Sequence, residues 1–197
     1  MTSIGVIIGS TRNPRICPQV AQFILNKIAK LNLSDHIQLE LIDLKDYNLP
    51  LFDESIIPKM VKSSDEYVHE HTKLWSKTIT RFDGFIFVTP QYNWGYPAAL
   101  KNSIDFLYHE WTGKPAMIVT YGGHGGSKCN AQLKEVLQGI SMTTNNKNVL
   151  LSFPDKKILV AASKGENLDI ESNGIFEESI DDLEEAFREL TENLNQK

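Results

Sequence analysis

The sequence is poor in cysteine. Cys17 and Cys129 are the only two in 197 residues, too few for a disulfide framework, so free thiols in a reducing, cytoplasmic compartment are expected. Basic charge is not in excess either. Twenty Lys and Arg face 25 Asp and Glu, for a formal net charge of −5, which argues against a surface built to attract nucleic acid or an anionic membrane. No apolar run is long enough to span a bilayer. The opening stretch Met1–Gly9 is apolar but has no basic start and no cleavage site, and it is too short to read as a signal peptide. Two phosphate-binding signatures are missing as well. No Gly-x-Gly-x-x-Gly follows the first predicted strand. Gly113-Lys114 runs into Pro115, and Ser127 separates Gly126 from Lys128, so no triphosphate loop forms. There is no internal repeat and no low-complexity tract.

The chain does have an ordinary globular balance, 41% hydrophobic and 23% charged, enough for a packed core in one domain. Ser3–Ile8 is a continuous β-branched run that stops at Gly9-Ser10, the pattern of a strand buried on both faces. Val20, Ala21, Phe23, Ile24, Lys27, Ile28 and Leu31 have helical spacing. Leu39–Leu44 alternates in part, which suggests a strand at or near an edge. Ser63 or Ser64 can cap a long helix with Asp65 and Glu66 in its first turn, carrying Tyr67, Leu74, Trp75, Thr78 and Ile79 toward Arg81. Gly84–Thr89 is the strongest buried strand. Pro97 suits the first turn of a helix through Leu100, Ile104, Leu107 and Tyr108. Ala116–Tyr121 is a fourth strand and Ala131–Ile140 a helix. Val149–Phe153 or Ile158–Ala161 supplies a fifth strand, 164–174 is loop, and an acidic amphipathic helix spans about 177–193.

This alternation implies a parallel sheet covered on both faces by helices. Ligands bind such sheets beyond the carboxyl ends of the strands, where strand order reverses. The loops after strands one, three and four should therefore build a site, and they are the three most distinctive segments of the chain. Gly9-Ser10-Thr11-Arg12-Asn13-Pro14-Arg15 joins a strand to a helix N-terminus, with free backbone N–H groups, hydroxyls and two arginines. It suits one monophosphate, or else is a capped helix with solvated arginines. Thr89–Pro97 (Thr-Pro-Gln-Tyr-Asn-Trp-Gly-Tyr-Pro) puts aromatic rings on a stiff backbone, suited to a planar ligand or to an aromatic subunit contact. Tyr121-Gly122-Gly123-His124-Gly125-Gly126-Ser127 lets backbone approach a ligand closely and donate N–H groups to it, unless it is a glycine-rich connector with no function.

Gly9-Ser10-x-Arg12, Pro90-x-Tyr92-Asn93 and Tyr121-Gly122-Gly123-x-Gly125-Gly126 together resemble the NADPH-dependent FMN reductase family. Thr89–Lys101 and Tyr108-His109-Glu110-Trp111 resemble its fungal quinone/FMN reductase branch. The resemblance covers roughly 4–140. It implies an α/β, flavodoxin-like fold: one domain over 1–197 with a doubly wound, five-stranded parallel sheet. It implies FMN as cofactor, NADPH or NADH as electron donor, and quinone, flavin or azo compounds as acceptors. It also implies homodimers with the flavin near the subunit interface. By motif, Ser10 and Arg12 would hold the phosphate, and Gln91, Tyr92, Asn93 and Trp94 would line the flavin and ribityl chain. Tyr121, Gly122 and Gly123 would border the pyrimidine side of the ring.

Two positions depart from the pattern. Arg15 stands where many members have serine, losing a hydroxyl but offering a second cation. Gln91 stands where many have glutamate, and its contribution should come mainly through its backbone.

Flavin carries the redox chemistry in such enzymes, so no catalytic side chain is assigned. His124 and Tyr92 are the nearest candidates for an acid or base. Donor and acceptor are expected to use one slot in turn, in a ping-pong scheme. No metal is expected: the histidines of His69-Glu70-His71, two apart on a predicted helix, would point to different faces. His109-Glu110-Trp111-Thr112-Gly113 lacks the second histidine of a zinc-protease signature. Cys17, near a helix N-terminus, is either a thiol of lowered pKa or a small buried residue. Trp75 and Trp111 are expected in the core or an interface. Two other functions fit the same fold: a flavin-bound redox sensor or electron carrier acting on a protein partner, and a mononucleotide-binding transferase or phosphatase. The last needs an activated nucleophile, and neither cysteine sits in a Cys-x5-Arg loop.

Overall fold

A computed structural model describes residues 1–31 and 36–196. In chain order the elements are β1 (Thr2–Ile8), α1 (Cys17–Ile28), β2 (Ile37–Asp43), α2 (Leu44–Tyr47), α3 (Glu70–Thr80), β3 (Gly84–Pro90), α4 (Ala98–Asp105), β4 (Pro115–Gly122), α5 (Ser127–Gly139), β5 (Thr143–Thr144), β6 (Val149–Ser152), α6 (Lys156–Ser163) and α7 (Ile180–Asn195). All strand pairs are parallel, in the order β2-β1-β3-β4, with β5 and β6 both on the free side of β4. This is the flavodoxin-like order. The expected fifth strand is a lane shared by two short ones. β5 pairs with Pro115 and Ala116 at the start of β4, and β6 pairs with Val119–Gly122 at its end.

Successive strand residues face opposite sides of the sheet, so continuous apolar runs feed two cores. Ile4, Val6 and Ile8 of β1, Ile86 and Val88 of β3, and Met117, Val119 and Tyr121 of β4 pack with α1 and α7. Ile7, Phe85, Phe87, Ala116 and Ile118 pack on the other face with α3, α4 and α5. Trp75 and Trp111 are fully buried there, with Trp111 edge-on to Phe85 at 5.0 Å.

Three elements differ from expectation, and the choice left open for the fifth strand falls on its first alternative. The helix foreseen from Ser63 or Ser64 does not form there. A single tight turn covers Ser64–Glu66, Tyr67 is extended, and α3 starts at Glu70. Two carboxylates explain the break: Glu54, 7% exposed, accepts the N–H groups of Val68 (2.9 Å) and His69 (3.0 Å), while buried Tyr67 donates its hydroxyl to Glu110 (3.1 Å). His69 thus precedes the helix, and its ring stacks on that of His71 at 5.1 Å instead of pointing away from it. The α4 helix ends at Asp105, short of Leu107 and Tyr108, and Glu110 accepts the Tyr108 N–H (3.3 Å) in the turn that follows. The α5 helix begins four residues before Ala131, opened by left-handed Gly126. Ile158–Ala161 lies in α6, so Val149–Ser152 supplies the strand.

Candidate functional site

The reversal of strand order lies between β1 and β3, and the three loops meet at that end of the sheet. A cavity of about 200 Å³ there includes Arg12 from the first loop, Gln91 and Tyr92 from the second, and Tyr121 and Gly122 from the third. A larger groove of about 370 Å³, between α1 and residues 167–172, contains none of the motif residues.

The first two loops are joined directly. Ser10 is fully buried and its Oγ lies 2.7 Å from the Tyr92 hydroxyl. Arg12 is exposed, and its guanidinium donates to the Ser163 carbonyl at 2.5 Å. Arg15 is committed elsewhere. Its fork holds both Asp43 carboxylate oxygens, at 2.8 and 2.5 Å, and also donates to the Ser10 carbonyl at 2.5 Å. The hydrogen bond to Asp43 raises the guanidinium pKa despite partial desolvation. Arg15 therefore braces the first loop against the end of β2, and Arg12 is the cation facing the cavity with its charge uncompensated by a carboxylate in the described ion pairs.

The second loop is a tight hairpin. Tyr92 and Gly95 exchange backbone hydrogen bonds at 2.8 and 3.0 Å, and Asn93 and Trp94 take φ of 45° and 77° at its tip. Two consecutive positive φ values on non-glycine residues are costly, and such strain concentrates at functional sites. Trp94 is 66% exposed. Both tip residues follow Tyr92 in the chain but stand outside the cavity lining, as do Ser10 and Gly123. The Gln91 side chain does more than its backbone: its Oε1 accepts the Cys129 N–H (3.1 Å) in the first turn of α5, while its own N–H donates to the Tyr121 carbonyl (3.2 Å). It ties the second loop to the third.

The glycines of the third loop divide into two kinds. Gly125 and Gly126 have φ of 67° and 76°, and added Cβ atoms would fall 2.7 Å from the Leu150 Cβ and 3.0 Å from the Thr120 Cβ. Those two serve the fold. At Gly122 and Gly123 an added Cβ would meet nothing closer than 3.8 and 3.5 Å, and neither has positive φ. Neither packing nor backbone conformation requires glycine there, and the open space leaves room for a flat ligand to approach the backbone closely.

Three buried acidic groups nearby, Cys17, Tyr121 and Cys129, are held neutral. Burial pushes the Cys17 thiol up to about 11, against hydrogen bonding to Tyr121. Burial, followed by the influence of Cys17, pushes the Tyr121 phenol well above its ordinary value. Burial alone raises Cys129 to about 12. Cys17 is thus the small buried residue of the two readings offered by its position. His124 is exposed and outside the cavity lining. Asp53 accepts from His71 at 3.0 Å, and among the described residues no group of three His, Cys, Asp or Glu side chains has metal-binding geometry.

Residues 2–154 match the NADPH-dependent FMN reductase family. The chain belongs to this family. Its FMN reductase membership makes it an oxidoreductase that works with FMN and a reduced nicotinamide. It is 50% identical over 143 residues to the NAD(P)H-dependent FMN reductase LOT6 of Saccharomyces cerevisiae, covering 71% of this chain and 75% of that one. It is 41% identical over 189 residues to the NAD(P)H-dependent FMN reductase C4B3.06c of Schizosaccharomyces pombe, covering 96% and 88%. A quinone reductase of Pseudomonas putida is 31% identical over 147 residues, covering 71% and 72%. Among solved structures, an oxidoreductase of Corynebacterium diphtheriae superposes with a TM-score of 0.68 at 17% identity, over 100% of this chain and 98% of that one. That likeness bears on the fold alone.

The motifs did not point to the far wall of this cavity. Phe153, Leu159, Ala162 and Ser163 line it from the end of β6 and from α6. A signal for α6 was present: Asp155, whose carboxylate accepts the Ile158 N–H at 2.8 Å, precedes Ile158-Leu159-Val160. Its place beside the cavity follows only from the pairing of β6 with β4.

Proposed function

We propose that this cavity is the FMN site. Ser10 and Arg12 would serve the phosphate, with Gln91, Tyr92, Tyr121, Gly122 and Gly123 around the ring and ribityl chain, and Asn93 and Trp94 at the rim. The reading rests on one observation: three loops converge at the strand-order reversal, and two of the glycines there answer to no need of the chain itself. When bound, FMN would supply the redox chemistry between NADPH or NADH as donor and a quinone, free flavin or azo compound as acceptor.

The side chains bind and orient. Arg12 offers a charge-assisted fork to a phosphate. The Ser10–Tyr92 bond fixes the first loop against the second, and Gln91 fixes the second against α5. The Gly122–Gly123 backbone offers N–H groups where the ring would gain negative charge. Tyr121, held protonated by burial, takes no proton at neutral pH.

The protein is further read as a homodimer. Leu51, Ile57, Met60, Val68 and Leu74 are large apolar residues more than half exposed within a single stretch of chain, and apolar surface of this kind favours a partner. Two free, buried cysteines accord with a cytoplasmic location, and no helix among the described residues is long and apolar enough to cross a membrane. Anaerobic mixing of the FMN-loaded protein with NADPH and NADH, then with a quinone, FMN or an azo dye, tests the activity. Bleaching of the flavin by the nicotinamide and its recovery with each acceptor are expected. Negligible nicotinamide oxidation with small acceptors would contradict the reading and favour a protein-directed carrier.

A further inference from the structure

The α6 helix forms one wall of the cavity through Leu159, Ala162 and Ser163. Its C-terminal carbonyl, that of Ser163, accepts from Arg12 at 2.5 Å, so the residue best placed for a phosphate already holds a helix end. That end carries the negative pole of the helix dipole, which disfavours an arriving dianion. Leu159 sits over the glycine face, its Cδ2 3.5 Å from where a Cβ of Gly123 would stand. With α6 in this position the cavity measures about 200 Å³, below the roughly 300–1,000 Å³ usual for sites that enclose small ligands. A shift of α6 away from Gly123 would enlarge the site.

The helix is built to do so. It buries one residue, Ala162, while Leu159 and Val160 are 38% and 43% exposed, a shallow hold of the kind that opens locally at little cost. Both flanks are firmly placed. On one side β6 pairs with β4. On the other, Gly165 (φ +69°) presses on the first loop so closely that a Cβ would lie 2.6 Å from the Pro14 Cβ. Gln19 then bonds both the Glu166 carbonyl and the Leu168 N–H at 3.0 Å. A weakly held helix between two anchors can swing without detaching. It also begins just past residue 154, where the family match ends.

We propose that α6 is a strap over the cofactor site, latched by the Arg12–Ser163 bond and released when a phosphate takes Arg12. This rests on the FMN reading above. Arg12 then has two alternative partners, and flavin retention is set partly by a segment outside the three motifs.

Hydrogen–deuterium exchange of the full chain tests it, with FMN binding followed in the same samples by quenching of flavin fluorescence. In the wild-type protein, saturating FMN is expected to speed exchange of the 160–165 amides by at least about threefold, as local opening does, with β6 and α7 unchanged. Arg12→Ala without ligand is expected to show the same acceleration. Quenching without acceleration, or with slower exchange, overturns the strap and leaves the FMN site standing. So does an Arg12→Ala protein whose α6 exchanges like the wild type. Absence of quenching by the wild-type protein overturns both readings.

Discussion

At the scale of single residues, the site separates cation from brace. Arg12 and Arg15 lie three positions apart on one loop, yet Asp43 neutralises only Arg15. Arg12→Ala is expected to weaken FMN binding by about 1–3 kcal/mol, the cost of losing one partner from a charged hydrogen bond, measured by fluorescence titration. Unchanged affinity would remove Arg12 from the site. Glu54 gives a pH prediction. Burial opposes its ionisation, but the Thr72 hydroxyl beside it and the N–H groups of Val68 and His69 outweigh burial and hold the carboxyl below its ordinary 4.5. A depressed folded-state pKa contributes stability that is complete above the unfolded value and is lost as pH falls through the folded one. Thermal stability should therefore decline below about pH 4.5, and Glu54→Gln should flatten that decline in Tm measured against pH. An identical acid limb in the variant would show that Glu54 does not carry it.

At the scale of elements, what the sequence shows depends on how local each cause is. The β1, β3 and β4 strands are legible because burial on both faces leaves unbroken apolar runs, and the loops after them are legible because their chemistry is unusual. The break before α3 is not legible, because its cause, Glu54, arrives from another loop, 14 and 15 residues upstream of the Val68 and His69 N–H groups that it accepts. The same holds for Arg15, whose partner Asp43 lies 28 residues on, and for the cavity wall of α6, which depends on strand pairing alone. The α7 helix is legible by its period, and its docking is testable. Phe187 is fully buried on the face shared with α1, so Phe187→Ala should cost about 3–5 kcal/mol in denaturant unfolding. A loss below about 1 kcal/mol would mean that α7 is not part of the core.

At the scale of the whole molecule, the fold places a largely apolar cavity, edged by Arg12 and Gly122, at one end of a doubly buried sheet and leaves large apolar side chains exposed between Leu51 and Leu74. If that stretch meets a second copy, Leu74→Glu should lower the mass measured by light scattering from that of a dimer to that of a monomer, with the fold retained. A wild-type monomer at the same concentration would contradict the homodimer. The redox chemistry belongs to FMN, and in the proposed reading the chain positions it against Gly122. An added Cβ at that position meets nothing closer than 3.8 Å within the protein, so a small side chain there should leave folding intact. The most direct measurement is FMN titration of Gly122→Val beside the wild type, each checked by thermal melting. The expected result is an unchanged Tm with FMN affinity at least about tenfold weaker, or 1.4 kcal/mol. A folded Gly122→Val protein that binds FMN as tightly as the wild type would contradict the account.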